Sequence, residues 1–261
     1  MKYSKECPYC GQGTLNKYAT ISVCKCPSCS LLFKNGLQFE GGFDELYKKA
    51  WQDTDNHKDK TGGTDLELAR IYARKLVSVL GLKDFKGLKL LEFGAGRGNM
   101  LAALLELGAN VYGVEPFGYE YLKNKGFKVF RTLEEIPGGI LFDGIVTIDV
   151  IEHVLHPWDI LNLLYGRLNS QGWFYVTTPN AGSLNARLSA GNWRELHNSS
   201  HIYFLDQKCL EIILNKIGLN KFIRLRWFVQ YTNNPLRVLM HYVLQQFGLD
   251  GELRYLIVKF Q

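Results

Sequence analysis

The sequence predicts an α/β fold: a doubly wound parallel sheet with helices on both faces, preceded by a small cysteine-rich module. Three observations predict it. From Asp65 onward, short apolar runs alternate with amphipathic, capped segments. A glycine-rich bend joins the first of these runs to the segment after it. Five of the six cysteines fall between Cys7 and Cys29, away from that alternation.

Residues 65–80 carry apolar positions at helical spacing. Thr64 stands as N-cap with Glu67 three residues on, and Gly81 ends the segment. Residues 88–93 read as a buried strand and 98–107 as the helix after it. Then come a strand at 110–114, a helix at 118–124, and strands at 127–130 and 144–148. Pro157 in the first turn opens a helix to 168, and 173–177 is the next strand. Asp206 caps a helix that Gly218 closes. Two β-rich runs, 222–229 and 253–260, flank a helical insert at 235–247. Right-handed crossovers place the strand C-termini along one edge, where ligands bind. The chain divides into a ribbon (1–36), a linker or lid segment (37–64) and the main domain (65–261).

The 261 residues are 46% hydrophobic and 21% charged, which excludes a mostly disordered chain. No apolar run approaches the ~18 residues a membrane helix needs. The first residues lack the apolar core of a secretory leader, so a cytoplasmic protein is expected. The net charge of +6 is dispersed: +2 over residues 1–60, zero over 61–205 and +4 over 206–261. A nucleic-acid surface shows as a basic stripe, and the neutral middle argues against one.

Cys7-Pro8-Tyr9-Cys10 and Cys26-Pro27-Ser28-Cys29 are two CPxC turns with fifteen residues between Cys10 and Cys26. Each turn aims two thiolates at one centre, and two turns make the tetrahedral sulfur cage that zinc prefers. A structural Zn²⁺ on Cys7, Cys10, Cys26 and Cys29 is expected. Cys24 shares a strand face with Cys26 and stands as a neighbour of the site. A redox CxxC pair and a site that has lost its metal are the competing readings.

The bend reads Glu92-Phe93-Gly94-Ala95-Gly96-Arg97-Gly98-Asn99. Gly94, Gly96 and Gly98 permit a sharp turn and close approach of a ligand. The dinucleotide fingerprint needs glycine at 99, where Asn99 stands. Glu92 suits an ammonium rather than a phosphate. Glu115 ends the next strand, 21 residues after Gly94, where a carboxylate can accept from both ribose hydroxyls. An amino group, a free ribose and no phosphate describe S-adenosylmethionine (SAM).

From about residue 65 the chain resembles the class I SAM-dependent methyltransferases, especially the ubiquinone-biosynthesis-like subgroup that includes sugar methyltransferases. The matching stretches include 91–98, Val114-Glu115-Pro116, Asp149-Val150-Ile151-Glu152-His153-Val154, Thr177-Thr178-Pro179-Asn180 and His201-Ile202-Tyr203-Phe204-Leu205. The ribbon followed by a Tyr-bearing segment also resembles deoxysugar C-methyltransferases. The resemblance implies a Rossmann-like seven-stranded sheet with an antiparallel last strand. It implies that Gly94, Ala95 and Gly96 line the methionine and ribose of SAM, that Leu133 and Glu134 contact adenine, and that Asp149 sits near the sulfonium.

Methyl transfer to an alcohol or carbon acid needs a base. His153 and His201 follow the fourth and fifth strands of the main domain, at the ligand edge. His153 has a second reading, a loop hydrogen bond; His201 has one too, as an anchor of the lid. The connection 180–205 is longer than ordinary loops and rich in amides and aromatic rings, which suits a polar ring as acceptor. Tyr47, Trp51, Asn180 and Trp193 are the expected acceptor contacts, although Tyr47 and Trp51 can equally pack the ribbon onto the sheet. The insert at 235–247 reads as packing or a homodimer face.

The expected function is methyl transfer from SAM to a small molecule or carbohydrate: a sugar, sugar nucleotide or glycan, at oxygen or carbon. A zinc-ribbon RNA methyltransferase is the second reading. It meets the neutral middle, and Thr178-Pro179-Asn180 lacks the [DN]-P-P-[FY] clamp of base N-methylation. A non-catalytic SAM-binding scaffold is the third.

Overall fold

A computed structural model of the chain describes residues 5–13, 15–18, 23–35, 48, 62–227 and 235–259. Tyr47 and Trp51 lie outside the described residues. In chain order, β1 (Asn16–Tyr18), β2 (Val23–Lys25) and β3 (Leu32–Lys34) come first. They are followed by α1 (Gly62–Val79), β4 (Lys89–Phe93), α2 (Asn99–Glu106), β5 (Asn110–Val114), α3 (Tyr119–Asn124) and β6 (Val129–Phe130). Next are β7 (Phe142–Ile148), α4 (Pro157–Gly166), β8 (Leu168–Pro179), α5 (Leu184–Ser189) and a 3₁₀ turn (Ala190–Asn192). The chain ends with α6 (Arg194–His197), β9 (Tyr203–Phe204), α7 (Gln207–Lys216), β10 (Phe222–Arg224), α8 (Pro235–Gln246) and β11 (Glu252–Val258).

Seven strands form one sheet in the order β10-β11-β8-β7-β4-β5-β6. β4 runs parallel to β5 and β7, and β5 runs parallel to β6. β11 runs against β8. The N–H of Asn180, just past the end of β8, donates to Gly251 before β11, and that of Lys259, just past β11, donates to Gly172. The expected α/β class and antiparallel last strand are therefore present.

The chain clusters into two compact units. One is Tyr47–Ile148, Leu164–Val176 and Ile257–Gln261. Its helix α1 buries Ala69, Tyr72, Ala73 and Leu76, a single stripe at helical spacing. Its strands β4 and β5 bury Leu90, Leu91, Val111 and Tyr112. Parallel strands with helices on both faces read as continuous apolar runs for this reason. Several boundaries differ from expectation: α1 starts at Gly62, β6 covers only Val129–Phe130, β7 starts at Phe142 and β10 stops at Arg224. α4 stops at Gly166, and β8 starts at Leu168 instead of 173. The polar stretch Asn169-Ser170-Gln171-Gly172 looks like a turn in sequence but continues the strand, with Gln171 at φ 66°.

The other unit is Met1–Leu46, Asp149–Leu163 and Thr177–Leu256. Here the sequence reading of 180–205 as a structureless connection is corrected. The segment folds into α5, the 3₁₀ turn, α6 and β9. The side chain of Ser183 caps α5 by accepting from the N–H of Ala186 at 3.1 Å. β9 then becomes the fourth strand of the ribbon sheet, order β1-β2-β3-β9, with Leu32 opposite Phe204 and Phe33 opposite Tyr203. Val23, Leu32, Ala186, Trp193, Leu196 and Phe204 close a core between ribbon and segment. The two-residue strand is too short for periodicity to reveal it. Leu236, Leu239, Met240 and Tyr242 of α8 are exposed. No helix among the described residues is long and apolar enough to cross a membrane.

Candidate active site

The glycine bend lies in the first unit, where β4 ends. The N–H groups of Gly94 and Ala95 donate to the carbonyl of Val114 at 2.9 and 3.1 Å, which ties the bend to the end of β5. Gly96 sits at φ 50°, and a Cβ built there would meet nothing within 4 Å. The space above it is open to a ligand that approaches the backbone. Gly98 differs. A Cβ there would lie 2.7 Å from Leu122 and 3.1 Å from Phe127, so its bareness serves packing at the start of α2.

Two carboxylates flank the bend. Glu115 accepts from the N–H of Gly96 at 2.8 Å, of Phe117 at 3.0 Å and of Gly118 at 3.2 Å. One side chain thereby holds both loops in place; Oε1 accepts two of these bonds, and Oε2, which accepts one, keeps a further lone pair. Glu92 is 5% exposed, and its Oε2 has no hydrogen-bond partner among the described residues. Burial pushes its carboxyl well above the usual carboxylate range, and Glu115 nearby adds to the effect. A buried carboxylate oxygen without a partner is costly unless something pairs with it.

A family model described as "Methyltransferase domain" matches residues 66–222. The chain belongs to this methyltransferase-domain family. The bovine (Bos taurus) mitochondrial ubiquinone biosynthesis O-methyltransferase is 28% identical over 158 residues, covering 53% of this chain and 43% of that protein. The chain thus spans about half the length of the ubiquinone-biosynthesis relatives it matches or less. A Burkholderia thailandensis 1,6-didemethyltoxoflavin-N1-methyltransferase, solved with S-adenosylhomocysteine, superposes at TM-score 0.54 with 16% identity, covering 95% of this chain and 99% of that one. A SAM-dependent methyltransferase from Archaeoglobus fulgidus superposes at 0.51 with 19% identity, covering 83% and 99%. These two likenesses establish the fold.

Leu133 is buried, and its carbonyl accepts from Arg167 at 3.4 Å. Glu134 is exposed, and a hydrogen bond from its own backbone holds its carboxyl below the usual range. Asp149, which follows β7, belongs to the second unit. It has φ 52°, a left-handed conformation that costs a non-glycine residue energy and concentrates at functional sites. Its Oδ1 accepts from the Thr177 hydroxyl at 3.1 Å. Burial first, then the charge of Glu252, raises its carboxyl to about 7.

His153 and His201 come together in the second unit, with ring centres 4.6 Å apart in a T-shaped pair. Nδ1 of His153 lies 3.0 Å from the carbonyl of Ser200, so that nitrogen carries the proton. Burial, then His153 beside it, lowers His201 to about 3, which leaves its ring neutral. Glu152 completes the group. Sequence reasoning passed over it, although the adjacent Glu152-His153 pair after a strand end was the available signal. The amide of Asn180 donates to the carbonyls of Gly248 and Asp250, and its oxygen accepts from Gly182, so it fastens loops together. Trp193 is packed in the core against Phe204.

The four expected zinc ligands converge. Sγ of Cys7 lies 3.6 Å from that of Cys29, and Sγ of Cys10 lies 3.5 Å from that of Cys26. A tetrahedral Zn–S₄ site with bonds of about 2.3 Å has edges of about 3.8 Å, so the cage has the size zinc needs. The facing Cys29 thiol, then burial, pushes the Cys7 thiol up. A divalent cation would reverse that and hold the four as thiolates. Cys24 stays outside the four, and its sulfur accepts from the Asn35 amide at 3.2 Å. Cys209 of α7 sits beside Cys29 and raises that thiol further.

Proposed function

We propose that the chain transfers the methyl group of S-adenosylmethionine to a small polar acceptor, with a sugar or sugar nucleotide as the acceptor class and oxygen as the acceptor atom. One observation carries the reading: the unpartnered Oε2 of Glu92 beside the open bend at Gly96. When bound, SAM supplies an electrophilic sulfonium methyl. Glu92 would receive its amino group, and the remaining lone pair on Oε2 of Glu115 a ribose hydroxyl, in addition to the N–H groups Glu115 already accepts. Leu133 would offer an apolar surface to adenine.

The oxygen acceptor is supported by the O-methyltransferase relatives. A polar acceptor is supported by Asn185, Arg187, Asn192 and Arg194, which keep exposed polar side chains along 180–205. His153 and His201 are assigned to the acceptor proton through their ring lone pairs. The zinc cage holds the ribbon's shape and takes no part in transfer. The exposed apolar residues of α8 keep a homodimer as the expected oligomer, which sedimentation velocity tests.

The test is calorimetry with SAM and S-adenosylhomocysteine, followed by transfer of labelled methyl to a panel of sugar nucleotides and hydroxylated rings. Binding of both ligands, weakened at least tenfold by Glu92→Gln, is expected. No binding to either ends the proposal. Label on hydroxylated rings but on no sugar reassigns the acceptor. His201→Ala is expected to lower kcat by about 10²-fold or more; an unchanged kcat removes the histidine from the chemistry.

A further inference from the structure

Helix α7 has two faces. Cys209, Leu210, Ile213 and Leu214 form its buried face. Lys208, Glu211, Ile212 and Asn215 fall three and four residues apart, so they share another stripe. That stripe is one wall of a cavity of about 460 Å³. The start of the 180–205 segment, with Gly182 and Arg187, is a second wall, and Phe247 with Gly248 is a third. Small-molecule pockets typically measure about 300–1,000 Å³, so the space is of a useful size. All of it lies within the second unit, and its lining includes neither the histidine pair nor the glycine bend.

The walls are fastened to one another. The Asn180 amide donates to the carbonyls of Gly248 at 3.1 Å and Asp250 at 2.8 Å, and its oxygen accepts from the N–H of Gly182 at 2.8 Å. The N–H of Leu184 donates to the carbonyl of Leu249 at 2.9 Å. The guanidinium of Arg224, on β10, donates both to Gln207 at the start of α7 and to Asp250. Oε1 of Glu211 accepts from Gln207 at 2.9 Å and from the Tyr255 hydroxyl of β11 at 2.7 Å. Gly248 must be bare, because a Cβ there would lie 2.5 Å from Arg224 and 2.8 Å from Gln207. A pocket built in advance loses little freedom when it binds.

The chemistry left open in it is mixed. Among the described residues, Oε2 of Glu211, Oδ2 of Asp206 and Oδ1 of Asn215 accept no hydrogen bond, and the side chains of Arg187 and Lys208 donate none. Two carboxylates are matched by two cations, so neither a phosphate nor an ammonium finds a lining of purely opposite charge. Open acceptors beside open donors suit hydroxyl groups, which give and take a hydrogen bond at one atom. Phe247 is 76% exposed, and Ile212 adds apolar surface. The electron-rich face of an aromatic ring attracts C–H bonds. A sugar ring has both features, with hydroxyls on its rim and C–H bonds on its faces.

We propose that this cavity binds a saccharide ring, with hydroxyls on Asp206, Glu211 and Asn215 and a C–H face on Phe247. It is a second carbohydrate position, apart from the one that receives the methyl group. The proposal does not rest on methyl transfer, so it holds or fails whether or not SAM binds.

The test uses the full chain, kept in zinc-containing buffer, without SAM. Saturation-transfer difference NMR is recorded with the methyl glycosides of glucose, galactose, rhamnose and N-acetylglucosamine, and with lactose and cellobiose. Transfer to the ring C–H protons of at least one of them is expected. Phe247→Ala should weaken that binding about tenfold, and Asn215→Ala about fivefold. Both side chains are exposed, so both variants should fold, as judged by circular dichroism; if one does not, the other is read alone. Inorganic phosphate and glycine, at ionic strength matched with sodium chloride, should not displace the sugar. Transfer to no sugar, binding unchanged in a folded variant, or displacement by phosphate or glycine overturns the proposal.

Discussion

The glycine bend and the ribbon are both organised by short motifs, yet they are held in opposite ways. The bend is local: Glu92, Gly96 and Glu115 lie within 24 residues, and hydrogen bonds between neighbouring strand ends fix them. The ribbon is joined over distance. Its strand β3 pairs with β9, about 170 residues later, and its core is shared with Ala186, Trp193 and Leu196. A locally closed site announces itself in sequence. A remotely closed one shows only its cysteines.

The largest effect should come from breaking the remote joint. Cys26→Ser removes one corner of the sulfur cage, and about 10 kcal/mol or more of metal-binding free energy is tied to folding in such modules. Hydrogen exchange should then speed up at Val23–Lys25 and Leu32–Lys34, and also at Tyr203–Phe204, while Lys89–Phe93 and Asn110–Val114 stay protected. Retained protection at Tyr203–Phe204 would show that β9 stands without the ribbon, and the contrast would fail.

Next in size is the local joint. Glu115→Ala deletes the acceptor of three backbone N–H groups. Hydrogen bonds to a charged acceptor contribute about 1.5–3 kcal/mol each, and the freed N–H groups find water in part. A loss of about 3 kcal/mol in stability is expected, measured by urea titration, with at least a hundredfold loss of S-adenosylhomocysteine affinity. Glu115→Gln keeps an acceptor oxygen and should recover part of the stability.

This contrast explains what the sequence made legible. β5 covers Asn110–Val114, the expected range, and Asp206 caps α7 by accepting from Cys209 at 2.7 Å, as its position before that helix implies. These features depend on neighbours in the chain. The features that were not legible depend on distant ones. β8 continues through four polar residues because a neighbouring strand satisfies its backbone. β9 is a strand through its pairing with β3. Asn180 and Trp193 look like ligand-binding types but are consumed by loops and core. Glu152 offered only its adjacency to His153, because the groups that engage its backbone, the N–H of Ile202 and of Tyr203, come from far along the chain.

Gly98→Ala sharpens the distinction within the bend. The new methyl would meet Leu122 at 2.7 Å at a residue already at φ 79°. Overpacking of this kind costs about 1–3 kcal/mol, and the left-handed backbone adds about 1. Thermal midpoints should fall by several degrees, at roughly 2–4 °C per kcal/mol for a chain of this size. Affinity for S-adenosylhomocysteine should fall much less than with Glu115→Ala, because this glycine packs against α3 rather than facing the open side. An affinity loss as large as that of Glu115→Ala would place Gly98 in the cofactor cradle after all.

The smallest effect tests the charge at the site itself. The carboxyl of Glu92 is raised by burial, so the folded chain holds a proton that the unfolded chain has released. Between the ordinary glutamate value near 4.3 and the raised folded one, the folded state binds more protons, and stability falls as pH rises through that window. Below the window both states are protonated and the difference vanishes. Glu92→Gln removes the ionisation, so without cofactor the variant should lose less stability than wild type between pH 4 and pH 8. Its thermal midpoint should overtake that of wild type at the alkaline end by a few degrees. Adding S-adenosylhomocysteine should reverse the order, because an ammonium beside Glu92 favours the charged carboxylate and offsets its burial. Parallel pH profiles for the two proteins without ligand would mean that Glu92 is already compensated, and the bend would lose its reason to attract a cation.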